Sequence, residues 1–200
     1  MKIVVGVTGS IAAYKAIDLV NQCRKLGHEV RVVMTKHAAD FVQPLTFEAI
    51  AHAPVVCDMF AEGVEALAHI SLAKWADVCI VAPADANVIA KMAHGLADDF
   101  LTTFILAFDG PVLVAPAMNT VMYHQQVTQD NLARLKSYGY EIVSPASGQL
   151  ACGDIGEASS QIWRRCCFIW KKASPRRRWL AFVSSSPPDQ PLHRSIRCAL

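Results

Sequence analysis

The sequence predicts an α/β protein, a Rossmann-like (flavodoxin-like) three-layer sandwich around a mostly parallel sheet. Three observations predict it. Apolar, β-rich runs such as KIVVGV at 2–7 alternate with segments whose apolar residues recur at helical spacing. Two of those runs, DVCIVAPA at 77–84 and PVLVAPA at 111–117, close in Ala-Pro-Ala, as a buried strand does where proline ends its pairing. Strands alternating with helices imply right-handed crossovers, which place helices on both faces of the sheet.

Taken in order, KIVVGV is the first strand and SIAAYKAIDLVNQCRKLG the first helix, with Gly27 as its stop. EVRVVMT repeats the strand signal. HAADFVQPLTFEAIAHA gives two short helical pieces broken by Pro44. PVVCDMF reads as a third, shorter strand. HISLAKWA is a short helix leading into DVCIVAPA, and NVIAKMAHGLADDFLTTFILAF supplies helical segments around Gly95. After the strand PVLVAPA come a capped helix, TQDNLARLKSYG, and a last strand, EIVSPA.

The 200 residues, 53% hydrophobic and 18% charged, describe one globular unit able to bury a core without disulfides. No apolar run is long enough for a membrane helix, and MKIVVGVTGS lacks the chemistry of a signal peptide, so a cytoplasmic location is expected. The seven cysteines are an odd number without metal-ligand spacing, and reduced thiols and no metal follow. The net charge of +2 hides an asymmetry. Residues 1–157 carry ten Lys and Arg against sixteen Asp and Glu, whereas residues 158–200 carry nine against one. That last stretch shows no sustained period and holds three of the four tryptophans. A basic, aromatic-interleaved tail can bind nucleic acid or anionic membrane. The reading preferred is an irregular or disordered tail with neither partner, so the domain expected is 1–157.

Several motifs carry chemistry. GVTGSIAAYK places Gly6, Thr8, Gly9 and Ser10 where the first strand meets the first helix. Backbone amides there, aided by small hydroxyls, suit an anion such as a phosphate, and an ordinary tight turn with a serine N-cap explains the residues equally well. In VAPADANVIAK, Asp85 and Asn87 open a helix just past a strand end, and either can simply cap it. PAMNTVMYHQ repeats that layout one strand later, with Asn119 between Met118 and Met122. Two such strand ends suggest a crevice for a flat polar ring and its phosphate, since ligands of parallel sheets bind at the C-terminal ends of the strands. Spacing alone does not single out His69 among seven histidines. Cys152, between glycines in SGQLACGDIG, is either an ordinary loop residue or a tunable proton donor.

These motifs, from GVTGSIAAYK through HISLAKWAD, APADANVIAK and PAMNTVMYHQ to ACGDIG, come in an order and at intervals that resemble the phosphopantothenoylcysteine decarboxylases, homo-oligomeric flavin-containing cysteine decarboxylases of coenzyme A biosynthesis. The resemblance runs from Lys2 to about Gly156. It implies FMN-dependent conversion of 4′-phosphopantothenoylcysteine to 4′-phosphopantetheine and carbon dioxide. It implies FMN held by Gly9 and Ser10, by Thr35, by Asp85, Ala86, Asn87 and Val88, and by Ala117. Asn119 and Met122 would bind substrate, His69 would be the active-site histidine and Cys152 the proton donor. A homotrimer or a dodecamer is expected. The chain departs from the commonest family pattern in having PADANV for PASANT, which sets the carboxylate of Asp85 near the flavin site, so that Asp85 should point away or bind through its backbone. It departs again after Gly156, where the family's Gly-Arg-Met-like segment and last helix are not recognisable. The alternatives kept are a non-catalytic regulatory flavoprotein and a decarboxylase of another cysteine-containing substrate.

Overall fold

Five parallel strands, β1 (Lys2–Val7), β2 (Glu29–Met34), β3 (Val78–Ala84), β4 (Val112–Pro116) and β5 (Glu141–Ile142), form one sheet in the order β2-β1-β3-β4-β5. The structure is a computed structural model that describes residues 1–61, 64–65 and 67–143, together with the strand backbones at 147–149 and 155–157. β1 lies between β2 and β3, in register with β2 from Lys2↔Glu29 to Val7↔Met34 and with β3 from Ile3↔Val78 to Gly6↔Val81. β3 and β4 are buried along their whole length, which is why they read as continuous apolar runs rather than as alternation. The strand order is the flavodoxin-like one, and the expected fold class holds.

Helices cover both faces. α1 (Ala13–Lys25), α2 (Lys36–Phe41) and α3 (Pro44–Ala51) pack on the face made by Ile3, Val5 and Val7. α4 (Ala68–Trp75), α5 (Ala86–His94), α6 (Phe100–Ala107) and α8 (Gln126–Ser137) cover the opposite face, around Val4, Val81, Phe100 and Phe104. α1 buries Ala13, Ala16, Leu19, Val20 and Cys23, one stripe of the helix. It stops where expected. Gly27 sits at φ +80°, its amide donates to the Arg24 carbonyl and that of His28 to the Cys23 carbonyl, the two bonds of a Schellman motif. Pro44 occupies the first turn of α3, where its missing N–H costs nothing.

Several expectations change. PVVCDMF is not a strand: only Val56 pairs, donating to Val32 and accepting from Met34 at the open edge of β2. Pro54 has no amide to offer, and the Asp58 side chain turns the chain by accepting from the Phe60 amide, so the pairing cannot extend. The helix expected at Thr128 begins at Gln126 without a side-chain cap, and a short α7 (Thr120–His124) precedes it. Gly6 belongs to β1 rather than to the turn. A Cβ there would stand 2.7 Å from Leu101 Cδ1, so glycine lets α6 lie directly on the strand. β6 (Ser147–Gln149) and β7 (Ile155–Glu157) pair antiparallel as a separate ribbon.

Candidate active site at the ends of β1, β3 and β4

The chain winds outward from β1 in opposite directions, to β2 on one side and to β3 and β4 on the other, so the turns after β1 and β3 diverge and leave a crevice at the C-terminal edge of the sheet. Hydrogen bonds tie the turns around it into a circuit. Thr8, fully buried, donates from Oγ1 to the Pro83 carbonyl at 2.9 Å and accepts from the Asp85 amide at 2.8 Å. The Ala117 amide donates to the Ala84 carbonyl at 2.9 Å. Ser10 closes the loop by donating from Oγ to the Ala117 carbonyl at 3.0 Å.

This circuit separates the candidate ligand-binding residues into two kinds. The amides of Ser10, Val88 and Ala117 are already engaged, with the Thr8 carbonyl, the Asp85 carboxylate and the Ala84 carbonyl respectively, so these residues shape the crevice. Ser10 is not an N-cap; α1 begins three residues later. By contrast Ala86 and Asn87 open α5, where no intrahelical carbonyl reaches their amides, and these amides stand free for an acceptor. Thr35 holds the N-cap position of α2 yet makes no cap bond, and its Oγ1 is buried without a partner. An unmade bond of that kind costs about 1–3 kcal/mol, which a polar ligand would relieve. Gly9 lets the start of α2 pack closely on the turn after β1: a Cβ on it would lie 2.7 Å from His37 Cβ and 3.5 Å from Asp85 Oδ2.

Asp85 does not point away from this crevice. Its Oδ1 accepts from the Val88 amide at 2.7 Å, capping α5, while Oδ2 faces the Gly9 turn. Its negative charge sits at the positive end of a helix, where it is stabilised. The cap reading of Asp85 is therefore correct, and it coexists with a place beside the crevice.

Asn119 lies just past β4 and caps α7, with Oδ1 accepting from the Val121 amide at 2.8 Å. That bond fixes the carboxamide: its oxygen faces the helix and its NH2 group, a donor of two hydrogen bonds, is left outward. Met122 is half exposed one turn on, and the neighbouring Thr120 Oγ1 is buried without a partner. His69 is in the first turn of α4. Because α4 runs antiparallel to the strand that follows it, this turn lies at the same sheet edge as Gly9, Asp85 and Asn119, whereas its C-terminal Trp75 lies at the other, against Lys2 and Arg31. His69 Nδ1 is buried without a partner. Cys152 lies outside the described residues. Among the described cysteines, burial pushes the thiols of Cys57 and Cys79 up, so both stay protonated and inert. No group of residues suited to a metal ion occurs among the described residues.

A cleft of about 450 Å³ at the other end of α5 and α8, lined by His94, Arg134, Tyr138 and Tyr140 among others, contains none of these groups. Volume alone does not locate the chemistry. The residue the sequence undervalued is Thr8: a threonine between Gly6 and Gly9 signals a small hydroxyl, but only the fold shows that it bridges two strand ends.

Comparison with known proteins accords with this geometry. The family model described as Flavoprotein matches residues 1–169. The coenzyme A biosynthesis bifunctional protein CoaBC of Vibrio vulnificus is 50% identical over 156 residues, 78% of this chain but 39% of that protein, so the chain spans about two fifths of the length of such bifunctional relatives. A probable phosphopantothenoylcysteine decarboxylase of Streptococcus mutans is 47% identical over 161 residues, 79% of this chain and 90% of that protein. Among solved structures, a cysteine-to-serine mutant of PPC decarboxylase complexed with pantothenoylaminoethenethiol superposes with a TM-score of 0.70 at 33% identity, covering 85% of this chain and 98% of that one. The FMN-dependent cysteine decarboxylase SpaF superposes with a TM-score of 0.72, also at 33% identity, over 86% of this chain and 98% of that one. With a match over most of its length and a relative of nearly its own extent, the chain belongs to the Flavoprotein family.

Proposed function

We propose that this chain is an FMN-dependent decarboxylase that converts 4′-phosphopantothenoylcysteine to 4′-phosphopantetheine and carbon dioxide in coenzyme A biosynthesis. The observation that carries the reading is the Asn119 loop, in which a carboxamide with its oxygen tied to the Val121 amide leaves two N–H donors outward just past the end of β4. Gly9, Thr35 and the amides of Ala86 and Asn87 fit FMN, with Ser10, Asp85, Val88 and Ala117 shaping its surroundings. FMN, when bound, supplies the two-electron exchange that turns the cysteinyl carboxylate into a leaving group beside a sulfur-stabilised carbon.

The chain's own residues do the rest. The Asn119 NH2 group binds the substrate carboxylate and holds it in line for departure. Met122 packs against the pantothenoyl chain. His69, with Nδ1 enclosed, has Nε2 as the nitrogen able to exchange a proton with substrate. Cys152 returns the proton to carbon after carbon dioxide has left. A serine mutant of a similar decarboxylase, holding an aminoethenethiol, supports that role. The domain we assign is 1–157, with 158–200 as a basic tail whose start the family match overlaps.

We place the protein in the cytoplasm as a homotrimer or a multiple of one. Cys57 and Cys79, free thiols among the described residues, suit a reducing compartment, and no described helix is long and apolar enough to cross a membrane. Exposed Ile11, Tyr14, Val121 and Met122 put apolar surface around the crevice, as an interface between copies requires. The test of the cofactor assignment is the absorption spectrum of the purified protein after addition of FMN and removal of the excess. A retained flavin band is expected, and a colourless protein refutes the reading.

A further inference from the structure

We propose that Thr8 is a positioning residue that sets flavin affinity by locking the turn after β1 to the turn after β3. The inference rests on the flavin reading above and concerns a residue that itself touches no ligand. Thr8 is fully buried, and its single hydroxyl is used twice across a sequence separation of 75 to 77 residues, as donor to the Pro83 carbonyl and as acceptor from the Asp85 amide. Pro83 stands next to the end of β3 and Asp85 is the N-cap of α5, so the two partners span the turn from β3 into α5. The Asp85 amide is bound by Thr8 while the Asp85 carboxylate caps α5, so one hydroxyl fixes where the free amides of Ala86 and Asn87 are presented.

On the other side, Thr8 immediately precedes Gly9, and its carbonyl accepts from the Ser10 amide at 2.8 Å. The same residue therefore holds the Gly9 turn and the α5 amides at a fixed separation. Without the hydroxyl, the Pro83 carbonyl and the Asp85 amide would be left unpaired, and the segment would have to shift to find other partners. A ligand that contacts both turns would then have to restore their arrangement on binding, which weakens it. Valine matches threonine in shape but cannot make either bond, whereas serine keeps the hydroxyl and loses only a methyl group.

The experiment titrates apoprotein with FMN by fluorescence quenching for wild type, Thr8→Val and Thr8→Ser, with thermal unfolding of each apoprotein in parallel. Thr8→Val is expected to weaken FMN binding at least about tenfold, and Thr8→Ser to stay within about threefold of wild type. A purely structural threonine would lower the unfolding temperature of Thr8→Val and leave its FMN affinity unchanged; that result overturns the proposal. Wild type that binds no FMN sinks the flavin reading itself, a different failure from equal binding by wild type and Thr8→Val. If Thr8→Val does not fold, hydrogen exchange on wild-type apoprotein decides. The Asp85 amide should exchange at least about a hundredfold more slowly than that of Asn87, and equal rates overturn the proposal.

Discussion

Asn119 shows how one side chain can be both structural and chemical. Its oxygen caps α7 and its NH2 group faces out, so the cap bond orients the donor proposed to meet the substrate. Asn119→Asp keeps an acceptor for the Val121 amide and replaces the donor with a negative charge. Flavin binding should persist, while kcat/KM for decarboxylation should fall by at least about a hundredfold, because the carboxylate to be held would be repelled; a steady-state assay beside an absorption spectrum checks both. In the proposed mechanism His69 and Cys152 act at different stages, so their removal should stop the reaction at different places. His69→Asn should leave the substrate intact, whereas Cys152→Ser should release carbon dioxide and accumulate an aminoenethiol, since serine is a far weaker acid than cysteine. Carbon dioxide counted against final product in anaerobic single-turnover reactions distinguishes them, and full turnover by Cys152→Ser would make that thiol an ordinary loop residue. At this scale the sequence showed the residue types but not their bonds. It offered cap and ligand as rivals for Asp85, and the structure has one carboxylate oxygen capping α5 and the other facing Gly9.

Between elements, α6 meets β1 closely at one point. Leu101, fully buried, occupies the space that a side chain at Gly6 would need. Gly6→Ala is therefore expected to destabilise the protein by about 1–3 kcal/mol through overpacking, read as a lower denaturant midpoint with an unchanged slope, and an unchanged midpoint would show that α6 can move aside. The sequence could not assign Gly6 this role, because a glycine in a strand and one in a turn read alike beside Thr8 and Gly9. Strands β1 to β4 were legible because burial on both faces makes continuous apolar runs. Val56 was not, since Val55 and Val56 carry the β-branched signal while Pro54 and the turn at Asp58 deny them neighbours to pair with. α7 was hidden for the opposite reason: none of its five residues is buried, so it leaves no apolar stripe to detect.

Across the whole molecule, the strand order creates the crevice, the three strand-end turns line it, and Thr8, Ala84, Ala117 and Ser10 join those turns by hydrogen bonds. The crevice was legible from two Ala-Pro-Ala strand ends followed by polar residues; the circuit was not, because its partners are far apart in sequence. Apolar residues around the crevice predict that activity accompanies assembly: sedimentation should show a trimer or a multiple of one as the active species, and an active monomer would remove the interface from the account. The proposed reaction is tested by incubating FMN-loaded protein with 4′-phosphopantothenoylcysteine without oxygen or any added oxidant and identifying the products by mass spectrometry. 4′-Phosphopantetheine and carbon dioxide are expected in equal amounts over many turnovers, since the flavin chemistry is internally balanced; a folded, flavin-loaded protein that leaves the substrate unchanged would overturn the assignment.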